Sequence, residues 1–350
     1  MLLTSGRRKN LTTLTALGAG VAVLAACAPD TESSSDGTDG AAAGDVIEYR
    51  VATIEGVGTP MNDGFDRFVE EVEQCSDGRL VGTNFPAGQL GGFVDLIDGN
   101  RSGTYEITSG GFDVEGELAP SLSALSLGYV FEDEEHVERV IDEMMPQMAE
   151  ELEATTGATI LGMGEDGWRW TFSTRPVANL DDLAGLKIRV PEAEIPLGLW
   201  TALGAAPTPV PFTEMYNALE TGVIEGGESA LAQIDANAFW EPAPHLNNTK
   251  HWFNIKPVRA NAEWFNALEP ELQDCLTTTA EEVFDEVRTT SRQLEAETLE
   301  KLQAEGVTVL EEPTDLDEWK ARSATYDEQY FAKFPEAEEF IADVKSLASN

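Results

Sequence analysis

Two arginines stand on short stretches whose neighbours alternate in polarity. In Trp168-Arg169-Trp170-Thr171-Phe172-Ser173 the aromatics take one face of a strand and Arg169 takes the other. In Leu186-Lys187-Ile188-Arg189-Val190-Pro191 the aliphatic residues face a core and leave Lys187 and Arg189 opposite. A planar guanidinium matches a carboxylate with two parallel hydrogen bonds and does not lose its proton. The chemistry on offer is capture of an acid, with Arg189 the first candidate; Lys187 reads more simply as a solvated strand residue. Glu55 closes the first strand, at the end where α/β folds bring groups to a ligand crevice. It reads as a cargo contact, or as a solvated or lobe-bridging carboxylate.

Catalysis is harder to find. His136, His245 and His251 have no metal-ligand spacing, and no G-x-S-x-G elbow is present. Gly162-Met163-Gly164-Glu165-Asp166-Gly167 satisfies G-x-G-x-x-G, but a Trp-rich strand follows it instead of a helix. It reads as a turn or interdomain hinge. Nothing in the sequence calls for ATP, a metal or another cofactor.

The elements that must position these residues form an α/β pattern. A strand over 46–54 is followed by Met61, Phe65, Phe68, Val69 and Val72 at helical spacing, closed by Gly78. Another strand spans 79–85, then a turn over 86–92 leads into a helix over 93–100. A strand at 158–161 precedes the glycine-rich stretch, and a short helix at 180–184 separates the two arginine-bearing strands. Leu272, Leu276, Ala280, Val283, Val287, Leu294 and Leu302 mark one long helix ended by Gly306. At about 35 residues it would measure about 50 Å, more than one domain's core needs. A strand at 307–309 and two further helices, carrying Trp319, Tyr326 and Phe331, then Phe340, Ile341 and Val344, finish the chain. No internal repeat is visible.

The first 26 residues read as a targeting segment: Arg7, Arg8 and Lys9, then an uncharged run too short to span a membrane comfortably. Leu24-Ala25-Ala26-Cys27 reads as a lipobox with Cys27 lipidated, and Arg7-Arg8 leaves a twin-arginine export signal as an alternative. The stretch to Gly44 is rich in Ser, Gly, Asp and Ala and reads as a flexible tether. The formal net charge is −42, and losing Arg7, Arg8 and Lys9 makes the mature chain more acidic still. That excludes nucleic acid and anionic lipid as direct partners. Spread along the chain, the charge suits a solvated surface, or one adapted to salt that screens its self-repulsion. Cys75 and Cys275 remain in an oxidising compartment, as a disulfide or as two buried thiols.

Several segments together resemble the solute-binding proteins of TRAP (tripartite ATP-independent periplasmic) transporters, the DctP-type family. They are Gly78-Arg79, Pro86-Ala87-Gly88-Gln89-Leu90-Gly91, Leu127-Gly128-Tyr129-Val130-Phe131, Gly167-Trp168-Arg169, Ser173-Thr174-Arg175-Pro176 and Lys187–Pro191. The resemblance covers roughly 45–345. It implies a two-lobed α/β fold of the periplasmic-binding-protein type (class II), with a cleft between lobes and a long lobe-spanning helix. The expected division is signal 1–26, lipidated cysteine and tether 27–44, lobe I 45–166 with 255–294, and lobe II 167–254 with 295–350.

By that likeness Arg189 pairs with the cargo carboxylate and Arg169 is a second cleft arginine. Glu225-Gly226-Gly227-Glu228-Ser229 departs from the family's Asp-Gly-Gln-Glu-Asn, placing Ser229 beside Glu228 where a ligand-contacting amide is usual. Glu55 and Phe112 are similar in position to ligand contacts of ectoine-binding members, which would suit a zwitterion. Phe112, Trp168, Phe212 and Phe239 are candidates for packing on the cargo, each also readable as core. The expected protein is a monomeric, lipid-anchored receptor that closes on a small organic acid or zwitterionic carboxylate and delivers it to TRAP membrane subunits. A surface enzyme, or a sensor or adhesin with the same cleft, are the other classes.

Overall fold

A computed structural model describes residues 46–310 and 312–348. The targeting segment, Cys27 and the tether lie outside the described residues. The strands are β1 (Ile47–Ala52), β2 (Leu80–Phe85), β3 (Ile107–Ser109), β4 (Ala158–Ser173), β5 (Lys187–Val190), β6 (Ala206–Pro209), β7 (Gly226–Ala230), β8 (His245–Asn247), β9 (Phe253–Asn261) and β10 (Thr308–Leu310). The helices are α1 (Pro60–Cys75), α2 (Phe93–Arg101), α3 (Pro120–Ser123), α4 (Glu134–Thr156), α5 (Glu194–Leu203), α6 (Met215–Glu220), α7 (Leu231–Ala236), α8 (Ala262–Asn266), α9 (Pro270–Ala304), α10 (Leu316–Lys333) and α11 (Pro335–Ser346).

The strands form one mixed sheet ordered β2-β1-β3-β9-β4-β7-β5-β6, with β8 and β10 attached beside β4. β4 is shared between two half-sheets. Its first part pairs antiparallel with β9 up to Trp168, and Arg169 to Ser173 pair antiparallel with β7. The two lobes meet along this strand.

The glycine-rich stretch 162–167 is therefore not a turn: it lies inside a 16-residue strand. The correction has a local cause. β4 carries register shifts at Ile160/Gly162 and Glu165/Gly167, and Gly167 sits at φ +87°, which L side chains rarely adopt. Its glycines serve bulges within a strand. A Cβ on Gly162 would stand 3.0 Å from the Ala280 backbone, so this glycine also lets α9 pack close.

Helix α1 starts as its sequence dictates. Thr59 caps it, accepting from the Asn62 amide, and Pro60 occupies the first turn. It buries Met61, Phe65, Phe68 and Val72 against β1, β2 and the first half of α9 (Leu272, Leu276, Val283, Phe284). The 35-residue α9 runs on to bury Leu302 in a core with Trp170, Phe172 and Phe239. One helix thus belongs to the cores of both half-sheets, as its length predicts. The C-terminal helix behaves differently from the expected division: Phe340, Ile341 and Val344 of α11 pack with α4 and the first half-sheet.

Cys75 at the end of α1 and Cys275 in α9 form a disulfide, Cα–Cα 6.0 Å, closing a sequence separation of 200 residues. Cross-linking a loop that long removes much entropy from the unfolded chain, about 5 kcal/mol in the chain-entropy picture. Reduction, or Cys75→Ser with Cys275→Ser, is expected to lower the urea midpoint accordingly. A midpoint unchanged by reductant contradicts this.

Candidate functional site

Where the half-sheets meet, a cavity opens between them. Arg169 (β4), Arg189 (β5), Ser229 (β7), Gln233 (α7), Pro191 and Phe212 form one wall. Asp113, Gly110, Gly111 and Phe93 belong to the first half-sheet's side, while Asp166 of β4, Asn254 and Lys256 of β9, and Trp252 form the floor. Strand alternation delivers these groups: Ile188 and Val190 enter the apolar core under α5, so Arg189 between them faces the cavity. In β9, Phe253 and Ile255 enter the core with α4, leaving Asn254 and Lys256 toward the cavity.

The two arginines are in different electrostatic states. Arg169 is satisfied by the chain itself. Its Nη2 donates to Glu228 Oε1 at 2.9 Å and to the Glu228 carbonyl at 3.0 Å, and its Nε donates to the same carboxylate. Its guanidinium also lies 4.7 Å from the Trp252 ring centroid. Arg189 is 4% exposed, and its Nε donates to the Val210 carbonyl at 2.7 Å. Among the described residues no carboxylate comes within ion-pair distance of it, whereas buried Arg169, Arg259 and Arg288 each have one. Burial pulls the Arg189 pKa down to about 10, so it remains a cation at neutral pH. Phe212 flanks it, 5.6 Å from guanidinium carbon to ring centroid.

Behind Arg169, burial would push the Glu228 carboxyl up, but Arg169 and a contact from His251 outweigh it and bring it to about 2. His251 Nε2 stands 3.4 Å from Glu228, and Nδ1 is 2.9 Å from Thr249 Oγ1. Burial lowers the pKa of this histidine, keeping it neutral at pH 7. Lys256 joins two carboxylates, donating to Glu55 Oε1 at 2.7 Å and to Asp166. Burial opposes its charge, yet Asp166 and Glu55 prevail and hold its pKa above the ordinary value. Asp113 is 4% exposed, and burial pushes its carboxyl up to about 6.

Of the expected site residues, Arg169, Arg189, Phe212 and Ser229 line the cavity. The others are elsewhere. Phe112 is buried in the core with α3 and α4. Its neighbour in the same 3₁₀ turn, Asp113, faces the cavity instead. Trp168 packs edge-on against Phe253 on the opposite face of β4, and Phe239 stacks on Phe172. Glu228 is fully buried as the partner of Arg169. Glu55 is also fully buried: it accepts from Lys256 and from Gln233 of α7, and so bridges the half-sheets. Lys187 is exposed at the strand's edge. Lys256, Asn254, Asp113 and Gln233 were not anticipated. The usable signal for two of them was the alternation Trp252-Phe253-Asn254-Ile255-Lys256, which repeats the pattern around Arg189.

The titrations set a pH profile. Asp113, pushed up to about 6, and Glu165, pushed by burial to about 7, hold protons in the folded chain that the unfolded chain has already released. Stability therefore falls as pH rises from about 4.5 to 7. Glu228, near 2, acts oppositely: its contribution is present above the ordinary carboxylate pKa and is lost as pH falls from about 4.5 to 2. The melting temperature of unliganded protein is expected to peak near pH 5, and a flat profile from pH 4 to 8 contradicts it.

Two half-sheets sharing strands and a long helix, with a cation-lined cavity between them, are the layout of a two-lobed solute-binding protein. The chain belongs to the bacterial extracellular solute-binding protein family 7 (DctP), which matches over residues 51–333, and it is a TRAP-type solute-binding protein, not an enzyme. It is similar to the sugar acid binding protein of Advenella mimigardefordensis, whose crystal structure is a complex with galactonate (TM-score 0.83, 29% identity, 87% of this chain and 99% of that one). It is also similar to a TRAP periplasmic solute binding protein of Roseobacter denitrificans with bound β-D-glucuronate (TM-score 0.82, 28% identity, 85% and 99%). The curated solute-binding protein RD1_1052 of Roseobacter denitrificans is 34% identical over 186 residues, covering 53% of this chain and 57% of that one.

Proposed function

We propose that this protein captures a small sugar acid, an aldonate or uronate, between its lobes and delivers it to the membrane subunits of a TRAP transporter. The observation that carries the reading is Arg189, a buried cation facing the cavity with, among the described residues, no carboxylate within ion-pair distance. Burying an unpaired charge is costly, and a cargo carboxylate removes the cost while making two charge-assisted hydrogen bonds. Similar proteins whose structures hold galactonate and glucuronate support the cargo class.

The ectoine-like alternative loses its main support, because Glu55 is committed to Lys256 and Gln233. We further propose that Cys27 carries a lipid and that 27–44 tethers the lobes to the outer face of the cytoplasmic membrane, with lobe I built on β1–β3 and lobe II on β5–β8. Cargo touching both walls would draw the lobes together.

The experiment is thermal unfolding against a panel of aldonates, uronates, dicarboxylates, amino acids and ectoine, with small-angle scattering on any hit. A ligand at 100 times its Kd adds about 2.7 kcal/mol. A sugar-acid hit that contracts the particle is expected; stabilisation by ectoine alone, or an unaltered scattering profile, argues against the reading.

A further inference from the structure

Beyond the arginines, two buried acceptors line the cavity, the Asp113 carboxylate and the Asn254 amide oxygen. Asp113 is almost fully buried, and among the described residues no cation lies within ion-pair distance of it. Asn254 donates its amide to Asp166 Oδ2 at 3.2 Å, which fixes the side chain's orientation and leaves its buried Oδ1 unpartnered. Both oxygens converge on Gly111. A Cβ built there would stand 2.6 Å from Asp113 Oδ1 and 2.8 Å from Asn254 Oδ1. The loop is held from behind by Arg259, whose Nη2 donates to the Gly110 and Gly111 carbonyls at 2.9 and 3.1 Å.

We propose that Asp113 and Asn254, meeting over Gly111, form a hydroxyl-binding subsite that makes the cargo a polyhydroxylated acid in preference to a plain one. The proposal rests on carboxylate capture by Arg189. A buried acceptor without a donor, as Asn254 Oδ1 is, is unfavourable, and a cargo that brings O–H groups satisfies it and adds a hydrogen bond to the Asp113 carboxylate. An alkyl chain in the same place leaves Asn254 Oδ1 unpaired and offers Asp113 nothing, the situation in which polar sites reject analogues most strongly. An ammonium would also donate to Asp113, and titration with 6-aminohexanoate separates it from a hydroxyl. The side chain of any residue larger than glycine at 111 would occupy the space the hydroxyls need.

The test is calorimetric titration of the full protein with D-galactonate, D-glucuronate, hexanoate and 6-aminohexanoate, repeated in Asp113→Asn and Arg189→Ala. Asp113→Asn keeps the shape of the side chain, and its melting temperature checks the fold. A sugar acid is expected to bind tightest, and Asp113→Asn to weaken it about ten- to hundred-fold, the range for hydrogen bonds to a charged group. Hexanoate affinity should be unmoved by that change. Gly111→Ala should also weaken the sugar acid selectively. Sugar-acid binding that needs Arg189 but is indifferent to Asp113→Asn overturns the subsite and leaves carboxylate capture standing, as does tighter binding of 6-aminohexanoate. Binding indifferent to Arg189→Ala overturns capture itself.

Discussion

Replacing Arg189 with alanine is expected to weaken cargo binding by between about thirty-fold and several thousand-fold. The range follows from truncating one partner of a buried, hydrogen-bonded charge pair, roughly 2–5 kcal/mol. The unliganded variant should behave oppositely to most core truncations. Arg189 is buried with one neutral hydrogen bond and, among the described residues, no carboxylate within ion-pair distance; the charges of Glu228 and Asp113 farther off offset its burial only in part, so deleting it removes a desolvation cost. Its melting temperature should therefore match or exceed that of the parent, while the rise produced by cargo disappears. Arg189→Lys keeps the charge but not the two-pronged geometry and should recover only part of the affinity. Calorimetry and thermal unfolding on the three proteins separate these effects. A variant that unfolds early yet binds normally would mean that Arg189 supports the wall and leaves the acid to another group.

The neighbouring arginine should respond to the reverse treatment. Glu228→Gln is nearly isosteric, but it strands Arg169 in the interior without its carboxylate. Breaking a buried pair from one side costs about 3–5 kcal/mol, because an uncompensated charge remains. The expected result is a large fall in the denaturation midpoint, accompanied by loss of the acid-side decline that Glu228 causes below pH 4.5. Combining Glu228→Gln with Arg169→Met removes both charges and should recover most of the lost stability, since the partners are in contact and their effects do not add. Additive losses would contradict the pairing. Arg169 is neutralised by the chain, whereas Arg189, on the proposed reading, is left for a cargo.

How far the sequence carried this depends on the type of signal. Local periodicity was reliable where one face alone is buried. The spacing of Leu272 to Leu302 fixed both the extent of α9 and its reach into two cores. Alternation around Trp170 and Ile188 set Arg169 and Arg189 on the faces that meet in the cavity. The glycine pattern at 162–167 misled because glycines that allow bulges and close helix packing look the same in sequence as glycines that allow a turn. Phe112 failed for a related reason. In a 3₁₀ turn adjacent side chains diverge, so the aromatic enters the core and Asp113, one position on, enters the cavity. Gln233 could not be singled out, because its importance comes from Glu55, far away in sequence and brought to it only by the join of the half-sheets. In a chain with 64 acidic residues, which few are buried and unpaired is a property of packing and not of composition.

The most direct test is a crystal structure of the protein with D-galactonate or D-glucuronate. The account predicts the cargo carboxylate bound by both terminal nitrogens of Arg189, with Arg169 still on Glu228 and hydroxyls on Asp113 and Asn254. A carboxylate seated on Lys256 or elsewhere, with Arg189 touching no part of the cargo, would contradict it.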